Sequence, residues 1–201
     1  KYKKMTVSFH KGTENETGGI NVVLSPEDGR LFYKLFLPLL VYVDETYKMH
    51  KDLPRMAWNG ALDMKEVKEI ANRLWDDVSL LDNYVAEQRD MSQEEKDILL
   101  SWKGRIRGKF VLLRHLQRGS VFISEEKEVY QVLGIQSSWE ELFPEETLPV
   151  FMEATLLPFR DVIISDGVVI PRPVRIPESV KEECRSIYLA ARKSKTMRRT
   201  L

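Results

Sequence analysis

The feature that most constrains this chain is a single change in the spacing of its apolar residues, near Arg107. Between Ser25 and Trp102 they recur three and four apart, the period of helices that bury one face. Beyond Arg107 they come in short runs separated by turn residues, the pattern of strands. Strands clustered behind a helical stretch, with no helix between most of them, predict an α+β fold with a mostly antiparallel sheet. The helical N-terminal half is expected to pack on that sheet and a C-terminal helix to close it. The division falls as 1–104, a short hairpin plus the helical half, and 105–201, a strand-rich half with the terminal helix, together one compact unit.

Local signals support this reading. Residues 5–9 and 20–24 alternate loosely and predict a hairpin with a long loop. Ser25, Pro26 and Asp28 announce a helix start, and Leu31, Phe32, Leu35, Phe36, Leu39, Leu40 and Val43 supply one buried face. Pro38 removes a backbone hydrogen bond, which predicts a kink or break near 34–37. A second helix is expected from 63 to 88, with Val67, Ile70, Ala71, Leu74, Val78, Leu81 and Val85 as its core stripe and Trp75 at the margin. Ser92 and Glu95 form a capping box that opens a third. Further on, 110–113 and 121–123 flank a turn at 117–120, 129–133 reads as a strand, and 150–157 suits strand or helix, with strand favoured. Residues 137–142 suit one capped helical turn. Ser165-Asp166-Gly167 predicts a tight hairpin joining 162–164 to 168–170. A last helix over 177–193 should bury Val180, Cys184, Ile187 and Ala191.

Composition narrows the function classes. Lysine plus arginine and aspartate plus glutamate number 31 each, so the net charge is zero, but the charges are sorted along the chain. Six bases and no acid lie in the segment opened by Trp102 and closed by Arg118 (Lys103, Arg105, Arg107, Lys109, Arg114 and Arg118). The one cysteine, Cys184, excludes an intrachain disulfide and multi-cysteine zinc sites. The longest apolar run, 35–43, is far short of the ~20 residues that span a bilayer. No membrane partner is expected, and the expected compartment is the cytoplasm.

Catalytic constellations are sparse. His10, His50 and His115 lie far apart, and no nucleophile elbow, phosphate-binding glycine loop or dinucleotide fingerprint is present. Asp76, Asp77 and Asp82 lie on the expected second helix, where 77 and 82 point about 140° apart. Glu66 and Glu69 are explained by the helix start, and of Asp161 and Asp166, which bracket a short strand, Asp166 is explained by its turn. No metal or other cofactor is expected, and the balance leans away from an enzyme. The basic features are more suggestive. On a 100° wheel Lys181, Arg185, Tyr188, Arg192 and Lys195 fall near one line beside the apolar stripe. With Arg105, Arg107 and Lys109 they could form a phosphate-binding surface. The competing expectation is that these bases pair with Glu125, Glu126, Glu140 or Glu141.

The stretch 101–122, with Ser101-Trp102-Lys103, Phe110 and Phe122, and the stretch 155–167, with Leu156-Leu157-Pro158-Phe159 ahead of Asp166-Gly167, resemble a group of bacterial conserved proteins. Some members carry a separate cysteine-rich zinc motif, SEC-C, which this chain lacks. The resemblance covers roughly the last hundred residues. It implies a bacterial source and no particular activity.

Three functions are therefore carried forward. The first is a non-enzymatic interaction module that binds a protein partner. The second is a nucleic-acid-binding protein that uses the basic terminal helix and the segment 102–118. The third is an enzyme of unrecognised class that uses acidic residues.

Overall fold

The computed structural model describes residues 22–50 and 64–201. The expected N-terminal hairpin lies outside the described residues except for 22–24. The fold is α+β, with six α-helices among the described residues and a six-stranded, mostly antiparallel sheet. The described residues divide into two compact units, 30–50 with 64–103, and 22–29 with 104–201.

The first unit is helical. α1 (Pro26–Tyr47) starts where Ser25 Oγ accepts the Asp28 N–H at 3.0 Å. It runs through Pro38 without the break that was one of the two expected outcomes there. The proline costs one hydrogen bond, but Phe32, Leu35, Phe36, Leu39, Leu40 and Val43 around it are all buried, which holds the helix together. The single helix expected over 63–88 is two, α2 (Met64–Asp76) and α3 (Ser79–Glu87). Asp77 causes the break, since its Oδ1 accepts from the Ser79 N–H at 3.2 Å and the Ser79 hydroxyl at 2.6 Å. A short polar side chain that satisfies helix-start donors favours a new N-terminus over continuation. The break shifts the phase, so Val67, Leu74 and Leu81 are core while Val78 is only half-buried. α4 (Gln93–Ser101) opens with the complete Ser92–Glu95 capping box and leads into a 3₁₀ turn (Trp102–Gly104). Trp75, expected at the margin, is central. It stacks on Phe36 at 6.3 Å, and Trp102 meets both Phe32 and Phe36 within 6 Å.

The second unit is a barrel. β1 (Ile106–His115), β2 (Ser120–Ser124) and β3 (Val129–Leu133) form an antiparallel meander. A helical turn, α5 (Trp139–Leu142), capped by Ser138 and Glu141, follows. β4 (Val150–Phe159) and β5 (Val162–Ser165) form the second hairpin. β5 runs parallel to β3, and β4 pairs antiparallel with β1 from Leu112↔Val150 to Ile106↔Leu156. That last pairing closes the ring in the order 1-2-3-5-4-1, the five-stranded Greek-key connectivity of OB-fold barrels.

One expected pairing does not form. Residues 168–169 are not strand, and β6 (Ile170–Pro171) pairs with β4 rather than β5. β5 already has β3 on one edge and β4 on the other, so neither edge is left for a hairpin partner. The Ser165-Asp166-Gly167 turn instead steers the chain along β4. Asp166 N donates to Thr155 O, Asp166 Oδ1 accepts from Val168 N, and Gly167 takes φ +77°.

Strand alternation sorts two apolar layers. Phe110, Leu112, Phe122, Tyr130, Val132 and Met152 fill the interior with Trp139 of α5. Val121, Ile123, Val129 and Leu113 point outward and are covered by the last helix, α6 (Glu178–Ser194). Both faces of β2 are therefore covered, and all five of its residues are buried.

Candidate functional site

α6 buries most of the face expected from its sequence, with Tyr188 added to it and Val180 left out. Cys184 is buried as expected, but its buried neighbour is Tyr188, with Ile187 and Ala191 half-buried and Val180 exposed. The packing line is rotated toward Tyr188, because a tyrosine ring covers more of the barrel wall than a valine does. The bases that flank Tyr188 are thereby brought against the end of β1. The Arg114 guanidinium lies over the Tyr188 ring, 5.4 Å from its centroid.

Two clefts meet at this pair. The larger, about 870 Å³, carries four guanidiniums (Arg114, Arg118, Arg192 and Arg199) and one carboxylate, Asp161. Its floor is the outer side of β3 at Gln131 and Leu133, and its ends are the β1–β2 loop and the β4–β5 turn. The smaller, about 400 Å³, lies along the first half of α6 and is lined by Lys181, Arg185, the exposed Leu189 and Glu145.

Their electrostatics differ. In the smaller cleft Lys181 and Arg185 both reach Glu178, at 3.2 and 3.4 Å. In the larger, none of the four arginines forms an ion pair among the described residues. With four guanidiniums against one carboxylate, the concave wall carries an excess of positive charge, and field lines are focused there. Arg118 is held in place from below, because the buried Gln131 donates through Nε2 to the Arg118 carbonyl.

The sequence-predicted residues divide accordingly. Tyr188 and Arg192 face the larger cleft, and Lys181, Arg185 and Tyr188 the smaller. Lys195 lines neither. It caps α6 in the left-handed conformation at φ 59°. Arg105, Arg107 and Lys109 are not brought to α6, since Arg107 precedes Arg114 by about 23 Å of strand at ~3.3 Å per residue. Arg105 and Arg107 have partners of their own, and Lys109 lies 3.5 Å from Glu125. The expected pairing of the α6 bases with Glu125, Glu126, Glu140 or Glu141 does not form among the described residues; Lys181 and Arg185 meet Glu178 instead. Arg114 and Arg118 were legible only as members of a basic segment, and Arg199 had no signal beyond its charge.

Two other polar constellations are structural. His115 Nε2 lies 2.8 Å from the Phe143 carbonyl, so it donates, and Nδ1 shares a hydrogen bond with the Ser120 hydroxyl at 2.8 Å. Ser120 is buried and offers no accessible nucleophile. In the helical unit His50 Nδ1 bonds the buried Asp44 at 2.8 Å and ties the end of α1. Among the described residues no group of three His, Cys, Asp or Glu is placed to hold a metal ion. No helix there is long and apolar enough to cross a membrane.

The class these features define is an OB-type barrel whose outer wall carries a helix and an arginine-lined cleft. No family model, curated protein or solved structure matches the chain.

Proposed function

We propose that the barrel unit binds nucleic acid by neutralising phosphates in the larger cleft. Four arginines without carboxylate partners, converging on one concave surface, carry this reading. Arginine suits the role because its guanidinium forks onto phosphate oxygens in pairs. The position adds support by analogy of fold. OB barrels bind oligonucleotides on the face of strands 2 and 3, between the β1–β2 and β4–β5 loops, and Gln131, Arg118 and Asp161 stand there. Aromatic stacking contributes little, since Tyr130 and Tyr188 are buried and Val121 and Ile123 lie under α6. The binding is therefore governed by backbone charge, with weak base preference. One buried thiol suits a reducing compartment, and we assign the protein to a bacterial cytoplasm.

The test is a titration of labelled fifteen-nucleotide single strands and the corresponding duplex at 50 and 200 mM salt. For four phosphate contacts the slope of log K against log salt on single strands should be about −3. An Arg118→Glu, Arg192→Glu variant should lose the binding while keeping the parent's circular dichroism. Absence of binding at 50 mM, or a variant equal to the parent, would overturn the reading in favour of a protein-binding module.

A further inference from the structure

The residues after α6 are tied to the barrel by more than chain connection. Thr196 N donates to Ala191 O at 2.9 Å beyond the left-handed Lys195, which reverses the chain. Arg198 then makes a parallel bridge to Tyr130 of β3. Its N–H donates to Val129 O and its carbonyl accepts from Gln131 N, both at 2.8 Å. β3 has a free edge there because β5 pairs only with Val132 and Leu133. Side chains of an extended segment alternate, and these do. Met197 and Arg199 line the larger cleft. Arg198 instead places Nη2 2.8 Å from Glu128 Oε1 and lies over the Tyr130 ring, 5.9 Å from its centroid. The Tyr130 hydroxyl donates to the other Glu128 oxygen.

We infer that this strap is a working part of the phosphate site: Arg199 is a binding residue, and Glu128 is a positioning residue that acts on it through Arg198. The inference rests on the reading of the cleft given above. It makes a prediction of unusual sign. Removing an acid near a polyanion site ordinarily strengthens binding, because repulsion is relieved. Loosening the strap weakens it, because Arg199 is no longer delivered.

The experiment compares the parent with Arg199→Ser, Glu128→Gln and the double variant on the fifteen-nucleotide single strand. Arg199→Ser should weaken binding severalfold and make the salt slope shallower by about 0.7, one phosphate contact. Glu128→Gln should weaken binding as well, and should add nothing in the Arg199→Ser background. Amide exchange, which needs no ligand, should find the Gln131 and Arg198 N–H groups protected in the parent and faster in Glu128→Gln. Parent binding that Glu128→Gln tightens or leaves unchanged would overturn the strap alone, as would additive effects or unaltered exchange. A parent that binds no nucleic acid would overturn the cleft reading and the strap with it.

Discussion

Leu74 has no exposed surface, and its replacement shows what a single side chain contributes here. Leu74→Ala should lower stability by about 2–5 kcal/mol in urea unfolding, the usual range for a truncated core leucine. Cys184 is buried against the barrel wall. Burial first, and the neighbouring Glu183 charge second, push its thiol above the ordinary range. It should react with thiol reagents at pH 8 far more slowly in the native protein than in urea, and equal rates would contradict the packing of α6. Tyr130 is pushed well above the usual phenol range, chiefly by burial and then by its hydrogen bond to Glu128. A raised folded-state value favours the folded chain only while the phenol stays neutral. The contribution is therefore complete below about pH 10, the unfolded value, and lost as pH rises beyond it. Between pH 8 and 10.5 the urea midpoint of the parent should fall by more than that of Tyr130→Phe.

Elements were legible where local chemistry decides them. The Ser92–Glu95 box forms as the sequence predicts, and Ser92→Ala should cost about 1 kcal/mol in thermal or urea unfolding. Glu95 is held below the ordinary carboxyl range first by Lys34 and then by the Ser92 N–H. That support is present at neutral pH and is lost as pH falls through the depressed value. Where two local signals compete, periodicity alone misleads. Apolar spacing continues from Val67 to Val85, yet Asp77 ends one helix and begins the next. The Asp166-Gly167 turn exists as a turn, but what it joins depends on which strand edges are vacant. In α6, Tyr188 shares its helical line with the bases yet joins Cys184 on the buried face. A ring that can either cover an apolar wall or face solvent has no fixed side until the wall is present.

For the whole molecule, the α+β class followed from local periodicity and short turns, because those depend on neighbours within a few residues. So did most strands of the barrel, although the run at 150–157 suited a helix as well. Barrel closure did not. The β1–β4 contact joins residues 38 to 50 positions apart, and nothing in either run names its partner, since any apolar strand can satisfy the other's backbone. The candidate site was half legible. Lys181, Arg185, Tyr188 and Arg192 could be seen as one stripe, because helical spacing puts them on one side. Tertiary structure decided which of these bases stay unpaired. Glu178 neutralises two of them one or two turns away, whereas Arg192 joins Arg114, Arg118 and Arg199 from three separate segments. Charge along a chain is fixed by composition, but a potential in a cleft is a sum over positions in space, and only the folded barrel supplies those.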